Sequence, residues 1–418
     1  MTWLGALLRA IGAPRPRRTA ALGFILFSVL LDVLALGIAI PVLPPLVQRL
    51  QGGNAAAAAG ALALFGALFA AMTFVGSPFL GVLSDSVGRR PVLLVCLAAL
   101  GFDYLVMGFA PNLGWLFVGR LVSGLAGATG VVANAYIADT LPPDERAGAY
   151  AWGGAVWGLG FVLGPAAGGW LGEYDLRLPF WCAAALTVLG ALYGLVVLPE
   201  SLQPARRTPF RLARASPVGA LALLRTTPGL AGHAAVNFLR WLAHAALATL
   251  FVLYIGDRFG LGPAWAGAAV ALYGGFDILV QSLVVRPVIA RIGERGAMLT
   301  GLACGSLALA VLGLAPNAWV FAAGLPLLAL VDLFGPGFLA IASRAVPPSE
   351  QGRLQGAITA VQTCAQVAGP LLFGAAYASF EAGAHARLPG ASFLIAAAIF
   401  ALALGVAARV RSPPPHAA

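Results

Sequence analysis

The chain has 418 residues, of which 60% are hydrophobic and only 10% charged, whereas a soluble protein uses about 25% Asp, Glu, Lys and Arg. Its net charge of +10 comes from 25 basic residues, every one an Arg, against 15 acids. These figures exclude a soluble enzyme, a disordered chain and a collagen, and leave a protein whose main solvent is lipid.

In chain order, residues 1–19 read as a cytoplasmic arm, because Arg15, Arg17 and Arg18 are followed by no small-residue cleavage site. Apolar runs between charged or Pro/Gly punctuation predict helices over 20–47, 55–80, 91–110, 112–138, 147–171 and 176–198. Residues 199–228 carry Pro199, Pro204, Pro209, Pro217 and Pro228 among several Arg and read as a cytoplasmic linker. A second set of helices follows over 229–255, 264–290, 297–315, 318–343, 352–378 and 391–410, and 411–418 form a tail. Each run is near the ~20 residues that cross a ~30 Å hydrocarbon layer. The expected fold is therefore an all-α membrane protein of two six-helix bundles, 20–198 and 229–410. The 53 Gly and 29 Pro suit membrane helices packed backbone to backbone.

An even number of crossings puts both termini on one side, and Arg placement says which. Nineteen Arg fall on the face shared with the N-terminus, only Arg49, Arg177, Arg258 and Arg387 on the other, and Arg120 and Arg240 within helices. The positive-inside rule then makes both termini cytoplasmic. The +10 is thus a topology signal and not a nucleic-acid footprint.

The two sets of helices match each other. Ala110-Pro111-Asn112 recurs as Ala315-Pro316-Asn317, Gly88-Arg89-Arg90 as Gly293-Glu294-Arg295, Pro142-Pro143-Asp144-Glu145 as Pro347-Pro348-Ser349-Glu350, and Gly164-Pro165 as Gly369-Pro370, each pair 205 positions apart. Parallel repeats of this kind build transporters that rock around a site at mid-membrane depth.

Six ionisable residues lie within the apolar runs: Asp32, Asp103, Arg120, Arg240, Asp277 and Asp332. At about 2.5–3.5 kcal/mol each in lipid they are tolerated only facing one another or water. Asp103 precedes the Pro111 turn by eight residues and Arg120 follows it by nine, so an antiparallel hairpin sets them at about one depth as an ion pair. Asp32, near the middle of the first helix, has no evident local partner and is the stronger candidate for proton or substrate handling. His233 and His244 share a face but stand ~16 Å apart along a helix, too far to hold one metal ion. They read as packing residues, with a proton relay as the alternative. Cys96, Cys182, Cys304 and Cys364 stand singly in apolar runs and read as packing residues too.

Between the second and third helices, Gly81-Val-Leu-Ser-Asp85-Ser-Val-Gly88-Arg89-Arg90-Pro91 suits a tight loop whose carboxylate bonds backbone N–H groups of a helix end, a contact that can switch. On the fifth helix Gly160, Gly164 and Gly168 recur every four residues beside Pro165 and Gly169, making a flat packing face. These two stretches, GVLSDSVGRRP and GFVLGPAAGG, resemble the inner-loop and fifth-helix motifs of the major facilitator superfamily and its drug:proton antiporters. LLDVLALGIAIPVLPPL, LGFDYLVMGFA, GRLVSGLAGATGVVANAYIADT and DRFGLG resemble the tetracycline-efflux antiporters in particular. The likeness runs over nearly the whole chain and is strongest over 24–200.

The resemblance implies roles residue by residue. Asp32 matches an acid linked to substrate and proton handling, Asp103 a third-helix acid, Arg120 an essential fourth-helix Arg and Gln281 a Gln near the drug. With Arg240, Asp277 and Asp332 these make the candidate substrate and proton pathway. Asp85, Gly88, Arg89, Arg90, Asp139, Arg146, Gly160, Gly164, Pro165, Gly168 and Gly169 make the candidate conformational switch. Two positions depart from the family: Asp277 stands where it has a His, and Gly305 where it has a ninth-helix Asp.

The expected function is proton-coupled efflux of a hydrophobic or amphipathic drug, tetracycline as its magnesium chelate being favoured by the resemblance. The alternative is a metabolite or sugar carrier on the same fold. No cofactor is implied, since no GxxxxGK[ST] loop is present and a proton gradient supplies the energy. The expected partners are the drug, protons and the bilayer of the inner membrane, with the protein working as a monomer. An intramembrane enzyme is excluded, because no HExxH, GxSxG or close His/Cys set occurs.

Overall fold

The computed structural model describes residues 18–127, 129–210, 223–224, 229–347, 350–380, 388 and 390–410. Most of the N-terminal arm, the later part of the linker, the tail, and Pro348 and Ser349 of the repeated Pro-Pro motif lie outside the described residues.

The first span runs from Arg18–Ala39, breaks, and resumes as Leu43–Leu50 at an angle of 41°. The sequence predicted one helix over 20–47. Pro41 interrupts it, since a proline inside a helix removes a backbone donor and crowds the preceding turn. The second span, Ala55–Val87, is opened by Asn54, whose side chain accepts from the Ala57 N–H at 3.0 Å. It runs seven residues past its predicted end and takes in Asp85. The third span, Arg89–Phe109, follows after Gly88 alone, so the expected loop is a single residue at φ 114°, a backbone state that only glycine adopts readily. The fourth span is in two pieces, Leu113–Ala126 and Thr129–Thr140. The fifth is Pro143–Tyr174 and the sixth Leu178–Val197.

The second half repeats this plan. The seventh span is Leu230–Phe259. The eighth begins as Pro263–Leu279, widens into one π-helical turn at Val280–Val284 and continues into Val285–Leu314. That continuous run leaves helical geometry at Gly293 (φ 72°, ψ 171°), where the ninth span starts. The tenth is Ala318–Ala329, a 3-10 turn at Leu330–Leu333, then Phe334–Arg344. Gln351–Phe380 and Ala391–Arg409 complete the set. Ten helices are long and apolar enough to cross a membrane, the bent first pair adds one, and the 52-residue run divided at Gly293 holds two, giving twelve spans among the described residues. This is a multi-pass membrane protein. Its outward faces carry Phe109, Leu189, Val196, Leu314 and Trp319 well exposed, as lipid contact allows.

The repeated motifs are the joints of the fold. Asn112 and Asn317 each cap the helix that follows, accepting from Gly114 N–H and from Trp319 and Val320 N–H. Gly88 and Gly293 supply the two positive-φ turns. Gly164 and Gly369 let a neighbouring helix come close: a Cβ on Gly164 would stand 2.8 Å from Gly37 Cα, and one on Gly369 would strike Ala245. These contacts join the first span to the fifth and the seventh to the eleventh.

The two halves meet along two seams, the second span against the eleventh and the fifth against the eighth. Gly66 faces Pro370, Gly374 faces Ala59 and Ala63, and Gly169 and Gly172 face Pro263 and Gly267. These residues lie from the middle of the spans towards the end opposite Gly88 and Gly293.

Candidate functional site

On the first span Asp32 is partly buried, and the Thr129 hydroxyl donates to its Oδ2 at 2.8 Å. Thr129 begins the second described stretch of the fourth span. The sequence reading left Asp32 without a partner, because 97 positions separate the two. No local pattern in the sequence joins the two. No Arg lies in ion-pair range of Asp32 among the described residues. A cavity of about 190 Å³ opens against it, lined by Ser28, Leu36, Leu97, Thr129 and Trp157 among others. That is below the ~300–1,000 Å³ of a drug-sized pocket. It takes water, or one edge of a larger ligand.

Asp103 and Arg120 meet. The guanidinium reaches Asp103 Oδ2 at 3.0 Å and also contacts Met107 Sδ and the Phe69 ring. Asp103 is fully buried, and Gly119 beside it leaves the space its Oδ1 occupies.

At the Arg-rich end, Arg89 is the hub. It pairs with Asp85 at 2.5 Å and with Asp139 at 3.0 Å, and donates to the Ser84 hydroxyl at 2.6 Å. Asp85 sits in the last turn of the second span and bonds this side chain. The carboxylate that caps the third span is instead Glu200, which accepts from the Arg89 backbone N–H at 2.9 Å and from Leu202 N–H at 3.0 Å. Glu200 lies at the start of the linker and was missed. No local pattern joins it to a helix start 111 positions earlier. The linker stays on this surface through Thr208, whose N–H donates to the Asp85 carbonyl, and Phe210, edge-on to Phe79. Arg90 donates to the Leu195 carbonyl, and Arg146 to the Leu141 and Ala138 carbonyls, closing the end of the fourth span.

The glycine stripe has two sides. Gly160, Gly164 and Gly168 pack on Val33, Gly37 and Ile38 of the first span, with Pro165 also against Gly37. Gly169 and the Pro165 carbonyl face the eighth span across the seam. Glu173, one turn on, accepts from Ala264 N–H at 2.9 Å and so caps the eighth span from the other half.

In the second half, Arg240, Asp277, Gln281 and Asp332 converge from the seventh, eighth and tenth spans. Arg240 lies 3.8 Å from Asp332 with its guanidinium 4.5 Å from the Trp241 ring centre and 5.3 Å from that of Phe334. Gln281 Nε2 donates to Asp277 Oδ2 at 3.1 Å and to Asp332 Oδ2 at 2.7 Å. Gly305 is not in this group. A Cβ there would stand 2.8 Å from the Phe400 ring and 3.0 Å from Val331, so the position has no room for a carboxylate. His233 Nδ1 lies 3.0 Å from the Gly229 carbonyl and His244 is edge-on to Trp241, so the structure keeps these two apart.

Two six-span halves around buried charges, closed together at one end by small residues, define a membrane transporter that alternates between two openings. Residues 25–286 and 233–418 match the Major Facilitator Superfamily, and the chain belongs to that family. It is 36% identical over 384 residues to the Tetracycline resistance protein, class C, of Escherichia coli, covering 92% of this chain and 95% of that one. To the Tetracycline resistance protein, class G, of Vibrio anguillarum it is 38% identical, covering 86% and 90%. Among solved structures the nucleoside transporter NupG (D323A mutant) superposes with a TM-score of 0.76 at 12% identity, over 93% of this chain and 99% of that one, and shares the fold. The protein is a transporter of small molecules, not an enzyme.

Proposed function

We propose that the protein exports a tetracycline from the cytoplasm, carried as its magnesium chelate, in exchange for protons. The reading draws on relatives named for tetracycline resistance that align over nearly their whole length. The observation that carries it is Asp32: a carboxylate with no cation in ion-pair range among the described residues, held by the Thr129 hydroxyl at the edge of a cavity. Such a group binds a proton or a cationic ligand, and the two compete, which couples their fluxes.

In this reading both termini and the Arg-rich end face the cytoplasm, the protein sits in the inner membrane and works as a monomer in the bilayer, and the proton gradient replaces any resident cofactor. The seams then close the outer side, and the drug enters from the cytoplasmic side. Protonation of Asp32 removes its charge and lowers the cost of the alternative arrangement, so the proton taken from outside is released inside.

Cells expressing the protein will accumulate less tetracycline than cells without it. Asp32→Asn will abolish tetracycline-driven proton movement in everted vesicles while the protein remains in the membrane. Unchanged exchange in that variant would remove Asp32 from the mechanism, and raised drug accumulation on expression would reverse the direction of transport.

A further inference from the structure

In two of the three spans that build the second-half cluster, a residue that reaches it stands where the helix leaves α geometry. Gln281 lies in the π-helical turn Val280–Val284, and Asp332 in the 3-10 turn Leu330–Leu333. Turns of this kind are less stable than α-helix and recur at functional positions. The two interruptions face each other, and the Gln281 amide spans the gap with both its hydrogens, one to each carboxyl. The two carboxyl groups are thus held on one amide nitrogen, at 3.1 and 2.7 Å. Arg240 is 8% exposed, points into the group, and its Nε has no hydrogen-bond partner among the described residues. Asp277 Oδ1 is buried and equally unpartnered.

The charge count decides what this arrangement holds. Two ionised carboxylates and one guanidinium leave a net negative charge on a partly buried group, and like charges this close disfavour joint ionisation. A single proton bound by the pair makes the cluster neutral and removes the repulsion between the two carboxyls. A second proton would leave Arg240 without a counter-ion, the costly case for a buried charge. His244 on the seventh span and Tyr273 on the eighth are the other titratable groups in electrostatic reach of these charges.

We propose that Asp277 and Asp332 are a second protonation site that binds one proton between them, with Arg240 fixing the number at one. Release breaks one carboxyl O–H bond, passes the proton to water and leaves two carboxylates on either side of Gln281. The link from this proton to drug flux rests on the transport reading above, whereas the site itself does not. On the fifth span Trp157 lines the Asp32 cavity, while Gly158 touches Ile278, next to Asp277. One helix, the fifth, therefore borders the surroundings of both sites.

The test is infrared difference spectroscopy of the purified full-length protein between acid and alkaline pH, without drug, reading the C=O stretch of protonated carboxyl groups. Asp277→Asn and Asp332→Asn are each expected to remove the same single-carboxyl component, because the acid that remains becomes an ordinary ion pair with Arg240. Asp32→Asn will leave that component in place. Arg240→Gln is expected to double it, since both acids must then be neutralised, and this variant keeps the test open should an Asn variant fail to fold. A component that survives both Asn substitutions, or that Arg240→Gln leaves unchanged, overturns the proposal. In proteoliposomes either Asn variant will move one proton fewer per tetracycline than the unaltered protein, and an unchanged ratio would overturn the coupling. Absence of tetracycline transport alongside the expected spectra would sink the transport reading and sustain the site.

Discussion

Asp103 and Arg120 show how a charge survives at this depth. Removing one member alone leaves the other uncompensated, so Asp103→Ala is expected to cost about 3–5 kcal/mol. Asp103→Ala/Arg120→Ala should recover a large part of that loss, and thermal unfolding in detergent of the four members of the cycle measures it. The pair could be read from the chain because one tight turn, Pro111, fixes the separation of its two residues along the hairpin. Thr129 and Glu200 could not, since each meets its partner only when distant spans pack. Glu200→Ala strips the third span of its cap and is expected to lower stability by about 1 kcal/mol. Glu200→Gln keeps an acceptor oxygen and should lose less in the same unfolding assay.

Between elements, adjacent glycines do different work. A Cβ on Gly168 would collide with the Ile38 carbonyl within one half, whereas one on Gly169 would collide with the Pro263 carbonyl of the other half. Gly168→Val should therefore loosen the first-to-fifth packing, at about 1–3 kcal/mol. Gly169→Val should leave that half intact and hold the seam apart. In a background lacking the four native cysteines, Ala63→Cys is buried in the companion seam between the second and eleventh spans. With Gly169→Val it should become reactive to a membrane-impermeant thiol reagent, and with Gly168→Val it should not. The four-residue glycine spacing announced a close-packed face, but not that its two edges serve two neighbours. Helix existence was legible from hydrophobic run length; the interruptions at Pro41, at Gly127 and at Val280–Val284 follow from tertiary contacts and single residues that a run length averages away.

Across the whole molecule the duplication is also an inversion. Arg89 and Asp139 correspond, 205 positions on, to Glu294 and Arg344, which pair with each other. Both halves thus join the start of their third helix to the end of their fourth by one ion pair, with its sense reversed. The second-half pair is largely exposed, and exposed pairs contribute about 0–1 kcal/mol. Exchanging it as Glu294→Arg/Arg344→Glu should leave tetracycline accumulation by cells unchanged. Arg89→Asp/Asp139→Arg should not be tolerated, because Arg89 also serves Asp85 and Ser84.

The outer part of the seams between the halves is lined mainly by glycine, alanine and proline, and Glu173 meets the opposite half there through a backbone N–H. Ionic strength screens ion pairs but has little hold on shape. Concentrated salt should therefore weaken the Glu294–Arg344 clasp while leaving the shut face shut. A single added methyl group, invisible to any electrolyte, is what would pry that face open.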